Sequence, residues 1–567
     1  MSHSSPADPS ASPPTNPPPD DRSEKTDLVS DSSASVRSLD ARSLAGAALL
    51  VMVFFVLSRV TGLVRDMVIA AEFDLGAALD AYQAAFRIPD LLFELVAGGA
   101  LGSAFIPTFA GYLAREDERG AWLLFSRVLN WITLILVVLA ALAALFAPQI
   151  VATIIGPEFP PDQQILTAQL MRWLLLSTVI FGASGLIMGA LNAMQHFLLP
   201  AVAPVIRNVA IILAALFLAP RYGVQGLVVG AILGAVGHLL VQIPILPRFG
   251  ARYTPSLTWR DPGVIEVARL MGPRVLGLFF VHLNFIVNTA LASGLAAGSL
   301  SALTYAWRLM LLPLGIFAQA IGVAAFPTFA AQVAAGEHGE LRRGFGLILR
   351  TIFFITLPAA AGLIVLGSPL VQILYERGQF TAQSTQAVVY ALQFYALGLV
   401  FHAGVEIIVR AYYALHDTMT PVIVGVGAML LNIVLSLWWV RLLSYGGLAL
   451  ANSVATAIEM LVLIWLLRPR LGGLDLGQLL PSVSRSAVAT GIMVAAVWGW
   501  LQWLEGGGLS AGWLSGGWLA ALGGMALAGG VYAGASLLLG SPELAMVRQM
   551  VVGRLRTRRT AGNQNGV

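Results

Sequence analysis

The sequence predicts an all-α polytopic membrane protein of about fourteen transmembrane helices, two six-helix parallel repeats followed by two extra C-terminal helices. Three observations carry that expectation. Only 11% of the 567 residues are charged and 57% are hydrophobic, whereas an ordinary soluble domain is about 25% charged; the mean hydropathy is +0.81. Apolar runs long enough to span hydrocarbon recur from about Ala45 to about Leu539, without the alternating segments of about ten residues that a β-barrel needs. Short motifs also return at a nearly constant offset, which divides the chain into halves.

Inside a bilayer each backbone amide must be satisfied within its own segment, so the apolar runs are read as helices. Turn residues punctuate them into helices near 44–72, 79–111, 121–148, 165–192, 199–219 and 223–247. A second set follows near 264–293, 300–333, 342–367, 385–415, 421–441 and 445–468, and two more near 482–504 and 511–539. The expected division is an N-lobe at 44–247, a C-lobe at 264–468 and an appended pair at 482–540. Residues 1–43, rich in Ser, Pro and Asp, read as a disordered tail, with the first helix as an uncleaved anchor.

Arginines orient the chain. Loops assigned to the cytoplasm hold Arg115, Arg119, Arg248, Arg252, Arg260, Arg342, Arg343, Arg468 and Arg470, while the opposite loops hold Arg221, Arg377 and Arg441. That bias follows the positive-inside rule and puts both termini in the cytoplasm. The basic tail at 541–567, with Arg554, Arg556, Arg558 and Arg559, fits the same sense, and is read first as enforcing topology and second as lying near anionic headgroups of the phospholipid bilayer. With no cysteine, disulfides and thiolate metal sites are excluded. His196, His282, His402 and His416 are scattered, so neither a metal site nor a cofactor is expected. The net charge of +4 is small, and no nucleic-acid partner is expected.

The internal repeat is the most informative feature. Ala190-Leu191-Asn192-Ala193-Met194-Gln195-His196, then Pro200, returns as Ala411-Tyr412-Tyr413-Ala414-Leu415-His416-Asp417, then Pro421. At the same offset of 221, Gly226-Leu227 returns as Gly447-Leu448 and Ala85-Phe86-Arg87 as Ala306-Trp307-Arg308. Pro107-Thr108-Phe109-Ala110 returns 220 residues later at Pro327. An even number of helices per half makes the halves parallel, a transporter plan with the substrate site between them. Gly98-Gly99, Gly102 and Pro107 against Gly315, Gly322 and Pro327 fall in equivalent helices, where they allow bending or close packing.

Ionisable side chains within spans are costly and usually face a cavity or a partner. The first helix carries Arg59, Arg65 and Asp66, with Arg59 and Asp66 on one face. The second carries Asp80, Arg87 and Glu94 in one stripe of alternating sign, with Asp90 beside it. Arg308, the repeat mate of Arg87, supplies a cation from the second half; Arg274, Glu406 and Arg410 lie elsewhere in that half. Taken singly, each fits a packed ion pair or a snorkelling anchor as well as a cavity. Taken together, cations from both halves converge on one interface, and planar guanidinium grips phosphate or carboxylate with paired hydrogen bonds. The acids then hold the arginines when substrate is absent, and the expected substrate is anionic.

Ser58-Arg59-x-x-Gly62-x-x-Arg65-Asp66 resembles the first-helix motif of the MurJ (MviN-type) lipid II flippases. Asp80-Ala81, Ala85-Phe86-Arg87-Ile88-Pro89-Asp90-Leu91-Leu92, Gly99-Ala100 and Ala104-Phe105-Ile106-Pro107 are similar to that family too. So are Met271-Gly272-Pro273, Asn288-Thr289, Tyr305-Ala306-Trp307-Arg308-Leu309-Met310, and Arg410 to Leu415 continuing through Asp417-Thr418 to Thr420-Pro421-Val422. The resemblance covers roughly residues 44–540. It implies the fold of the multidrug/oligosaccharidyl-lipid/polysaccharide exporters, two six-helix lobes around a V-shaped central cavity. The two extra helices would form a groove for a polyprenyl tail. The implied substrate is lipid II, moved between the leaflets of the bacterial inner membrane. Its implied binding residues are Arg59, Arg65, Asp66, Asp80 and Arg308, with Arg87 added from the charge pattern and Asp90, Glu94, Arg274, Glu406 and Arg410 as supporting or gating groups. The chain departs from the family where a pair of arginines is usual, reading Phe93-Glu94, and where an acid is frequent, reading Gly98. The positions used for sodium in some relatives read Asn288, Asn432 and Ser436 here.

Three rivals are testable, one of them a purely structural membrane scaffold, which predicts no cost to neutralising the buried charges as long as folding survives. A relative exporting another polyprenyl-linked glycan shares the fold, whereas a drug exporter favours acidic sites for cations. A membrane-embedded glycosyltransferase needs a catalytic domain or loop with carboxylates, and the longest internal loops span about 17 residues.

Overall fold

The computed structural model describes residues 41–473, 476–506 and 517–544. The expected N-terminal tail up to residue 40 and the basic tail with Arg554, Arg556, Arg558 and Arg559 lie outside the described residues. The first half comprises α1 (Ala41–Glu72), α2 (Ala77–Ala85), α3 (Arg87–Val96), α4 (Gly99–Ala114), α5 (Glu118–Leu145), α6 (Pro161–Ala193), α7 (Leu198–Phe217) and α8 (Val224–Leu240). The second comprises α9 (Pro262–Ser293), α10 (Ser299–Pro313), α11 (Ala320–Ala334), α12 (His338–Val365), α13 (Gly367–Tyr375), α14 (Ala382–Ala414), α15 (Met419–Leu443) and α16 (Tyr445–Arg470). The appended pair is α17 (Leu476–Gly506) and α18 (Gly524–Leu538). Among the described residues, eleven helices are long and apolar enough to cross a membrane, or twelve if α9, bent by 47° between Gly272 and Gly277, counts as one span. Neither α1 nor the α2–α4 stretch is in that number; both carry the charges the sequence singles out.

The repeat has a physical basis. α5 and α12 are each 28 residues long and start 220 residues apart, at 118 and 338. α6 and α14 are each 33 residues long and start 221 apart, at 161 and 382. The repeated motif at 190–196 and 411–417 is a helix C-cap. Gln195 and His416 take the left-handed conformation at φ 61° and 59°, and His196 N donates to Leu191 O at 2.8 Å as Asp417 N donates to Tyr412 O at 3.0 Å. Such a turn satisfies carbonyls that the last helical turn leaves free. The repeated glycines have one shared task as well. A Cβ on Gly226 would sit 2.7 Å from the Leu218 carbonyl carbon, and one on Gly447 would sit 2.5 Å from that of Trp439, the residue 221 positions after Leu218.

Three expected helices differ in detail. The segment expected as one helix at 79–111 is α2, α3 and α4, broken at Phe86 and again at Ala97-Gly98. At Gly98 a Cβ would lie 2.7 Å from Glu94 Cα, so a side chain there is excluded by the preceding turn. The helix expected at 300–333 is α10 and α11 joined by a π-helical segment, Leu314–Gln319, that follows Pro313. Proline lacks the N–H that the α ladder needs and crowds the preceding turn, and the wider π turn accommodates it. The helix expected at 264–293 carries the bend already noted, at Gly272-Pro273 in the sequence.

Each half has its own apolar core, with Phe105, Phe109 and Leu186 in the first and Phe345, Ile407 and Tyr412 in the second. A third cluster crosses between them, packing Leu79 and Ala84 of α2 with Tyr305 and Leu309 of α10 and Tyr375 of α13. The halves meet where α2 packs on α10 and α1 on α13, and along α9, which runs against α3 and α4 and puts Val267 into the first half's core. α17 and α18 dock on α12 through Phe354, Met493, Val497 and Tyr532.

Candidate functional site

Asp66 is the centre of the charged cluster. Its Oδ1 accepts from Arg65 Nε at 3.1 Å, Arg65 Nη2 at 2.8 Å and Arg308 Nη1 at 2.8 Å. The Asp66 side chain is 7% exposed and that of Arg308 32%, so the pair sits at the wall of an accessible space. α10 of the second half delivers Arg308 and α1 of the first delivers Asp66, making this a contact between lobes. Arg65 also donates to Asn208 Oδ1 at 3.0 Å, and Asn208 Nδ2 donates to Ser58 O at 3.2 Å. Asn208 thereby orients Arg65 from α7.

The repeat mate of Arg308 makes the reciprocal crossing. Arg87 Nε donates to Thr289 Oγ1 of α9 at 2.7 Å, and its guanidinium lies 5.6 Å from the Phe285 ring. Each arginine thus reaches the first long helix of the other half, onto a carboxylate in one case and a hydroxyl in the other. Asp80 meets its own repeat mate, Ser301. Its carboxylate, 2% exposed, accepts from Ser301 N at 2.8 Å, Ser301 Oγ at 2.6 Å and Gly298 N at 2.7 Å. A residue that touches its own mate lies on the pseudo-two-fold axis relating the halves. Asp80 also supplies the cap that the N-terminus of α10 lacks in its own sequence.

Asp90 of α3 is exposed although it lies deep among the helices, and it interacts electrostatically with Arg207, Arg87, Glu94 and Arg308. Arg207 belongs to the same cluster and was not among the residues the sequence reading selected. It lies 5.0 Å from the Phe181 ring, its Nε has no hydrogen-bond partner among the described residues, and the charges of Arg65, Asp90 and Arg308 act on it. Its signal was available, since it is the sole charge in the apolar run Leu198–Phe217. Asn208 and Thr289 were less visible, because uncharged polar residues are common in helices.

Other selected residues stand apart. Arg59 is exposed and lies over Phe55 at 5.4 Å, and no ion pair links it to Asp66 among the described residues. Seven residues of helix separate them by about 10 Å along the axis. Glu406 and Arg410 pair with each other at 2.8 Å within α14, where Arg410 fills the space beside Gly322 of α11. Arg274 has a side chain outside the described residues. Asn288, Asn432 and Ser436 do come together, Ser436 Oγ donating to both asparagine carbonyls at 3.3 and 3.0 Å. That group contains no carboxylate. Among the described residues no three His, Asp or Glu side chains converge as metal ligands.

Two pseudo-symmetric helical lobes sharing a cationic cluster at their interface define a two-lobed membrane transporter. The sequence model of the family described as lipid II flippase MurJ matches residues 69–510. The lipid II flippase MurJ of Burkholderia cenocepacia is 34% identical over 439 residues, 75% of this chain and 84% of that one. The probable lipid II flippase MurJ of Haemophilus influenzae is 33% identical, over 72% of this chain and 83% of its own. Among solved structures, a lipid II flippase MurJ in an inward closed conformation superposes with a TM-score of 0.72 at 25% identity, covering 89% of this chain and 100% of that one. An inward-facing multidrug resistance transporter of the MATE family superposes at 0.61 with 17% identity over 74% of this chain and 94% of its own, which speaks to fold alone. The chain belongs to the lipid II flippase MurJ family, whose members are transporters and not enzymes.

Proposed function

We propose that this protein flips lipid II, the undecaprenyl-diphosphate-linked peptidoglycan precursor, from the cytoplasmic to the periplasmic leaflet by alternating access. The observation that carries the reading is the Arg65–Asp66–Arg308 contact between lobes, with Arg87 and Arg207 beside it. Four guanidinium groups face Asp66, Asp90 and Glu94, and Arg207 Nε has no acceptor. Guanidinium forks match the geometry of a diphosphate. On arrival, the diphosphate takes Arg65 and Arg308 from Asp66 and engages Arg207, and each contact is a hydrogen bond to a charged group worth about 1.5–3 kcal/mol. Breaking the Asp66–Arg308 contact removes one of the ties between the lobes, which couples binding to rocking.

In this reading both termini are cytoplasmic, residues 44–247 and 264–468 are the moving lobes, and 482–540 carries the groove for the polyprenyl tail. The Asp80 latch then closes the periplasmic end, because the loops there are the arginine-poor ones. Arg59, exposed one and a half to two turns before the cluster, meets the headgroup on its way in, and Glu406–Arg410 acts within the second lobe. Glu94 in place of the family's arginine favours one alternative, export of another polyprenyl-linked glycan. Both are tested by complementing a bacterium depleted of its lipid II flippase and scoring leaflet accessibility of lipid II. Rescue with flipped precursor supports the proposal. Abundant, inserted protein without flipping refutes it in favour of another glycan.

A further inference from the structure

α17 and α18 meet around a set of buried oxygens that the transport cluster does not use. Glu543 is 2% exposed and Ser482, Ser486, Ser536 and Ser541 are all at least nine-tenths buried. Ser482 Oγ donates to Glu543 Oε1 at 2.7 Å. Among the described residues, Glu543 Oε2 and the Ser541 hydroxyl have no hydrogen-bond partner, and the hydroxyls of Ser486 and Ser536 have only the Tyr532 hydroxyl beside them. The arrangement is built by the chain turn after α18. Gly540 takes φ 63°, a left-handed conformation that glycine tolerates, and Ser541 N donates back to Ser536 O at 3.0 Å. This turn folds Ser541 and Glu543 under the end of α18 and against α17. Ser482 and Ser486 stand one helical turn apart on the facing side of α17. Tyr532, flanked by Ser486 and Ser536, donates its proton to Phe354 O of α12 at 2.6 Å, tying the site to the second lobe.

We propose that these oxygens bind a monovalent alkali cation of sodium's size. The charge argument selects the ligand class. No basic side chain pairs with Glu543 among the described residues, and the neighbouring Arg485 donates to Gly540 O instead. A buried carboxylate without a countercharge carries a penalty of several kcal/mol. Water would satisfy the Ser541 hydroxyl and leave that charge; a proton would neutralise it and leave the Ser541 oxygen idle. One hard cation answers both needs, because carboxylate and hydroxyl oxygens are its natural ligands. A single carboxylate balances a single positive charge, whereas calcium sites usually gather several carboxylates. The ion joins α17, α18 and the turn after α18, and so sets how the appended pair sits on α12.

The test uses the full-length protein purified in detergent at neutral pH. Its thermal unfolding is followed while sodium chloride replaces choline chloride at fixed ionic strength, and radiolabelled sodium binding is measured in parallel. The expected result is a Tm that rises and saturates with sodium, together with saturable binding. Both responses are lost in Glu543→Gln and weakened at least tenfold in midpoint in Ser541→Ala, while Asn432→Ala leaves them intact. Should Glu543→Gln fail to fold, Ser541→Ala and Ser536→Ala carry the same comparison. No sodium response in the wild-type protein overturns the proposal, as does a response unchanged in the Glu543 and serine variants.

Discussion

Removing the Arg308 guanidinium separates transport from folding. In Arg308→Ala, Asp66 loses one 2.8 Å hydrogen bond and keeps those of 2.8 and 3.1 Å from Arg65. The carboxylate is therefore never left unpaired, which is the circumstance that makes breaking a buried ion pair cost about 3–5 kcal/mol. A bond to a charged group is worth about 1.5–3 kcal/mol. The lower end applies because 32% of the Arg308 side chain is exposed and solvent screens it. The loss of stability is then about 1.5 kcal/mol at most, and membrane abundance stays within a few-fold of wild type. Substrate capture suffers more. Two charge-assisted bonds from one guanidinium to a diphosphate, at about 1.5 kcal/mol each, amount to about 3 kcal/mol, or about a hundredfold in affinity. Arg308→Lys keeps the charge without the fork and falls between the two. The assay is complementation in flippase-depleted cells with leaflet accessibility of lipid II, normalised to abundance by immunoblot. Wild-type flipping by Arg308→Ala would refute the reasoning outright.

Three further outcomes follow from the geometry. Asp80→Asn removes the charge that caps α10 across the pseudo-two-fold axis. Because the chain has no cysteine, a single Ala302→Cys reporter, fully buried beside the latch, reads its opening, and thiol labelling should be several-fold faster in the Asn variant than in Asp80 protein. Gly447→Ala forces a Cβ to 2.5 Å from the Trp439 carbonyl carbon, an overpacking that costs about 1–3 kcal/mol; a lowered Tm, matched by the equivalent Gly226→Ala, is expected, and unchanged stability in both would show that the backbones part easily. In the loop after α14, burial alone would raise the Asp417 carboxyl, but hydrogen bonds from the Thr420 hydroxyl and backbone, with Arg470, outweigh it and hold the group at about 2 against the usual 3.8. A depressed carboxyl stabilises the fold above the unfolded value, so this contribution is present above pH 3.8 and fades as pH falls towards 2. The stability difference between wild type and Asp417→Asn should vanish over that window, and a difference that persists at the acid end would count against the assigned contacts.

Much of this protein was legible in the sequence because membrane physics leaves few options. Long apolar runs without charge must be helices. The offset of 221 residues announced two like halves, since the same C-cap turn and the same helix-crossing glycine are required twice. Charges within apolar helices pointed to Asp66, Arg65 and Arg308 because burying them is too costly without a use. Partnership was decided only by the tertiary structure. Arg59 and Asp66 share a helical face, yet Asp66 pairs with Arg308, 242 residues away, because the lobes bring α10 to α1. Asp80 belongs to the same charge stripe as Arg87 and Glu94, yet it caps a helix of the other half on the pseudo-symmetry axis. Arg207 became a member of the cluster through the packing of α7 against α1. Helical periodicity ranks residues along one helix, whereas a site between lobes is assembled from several helices whose relative rotation depends on packing.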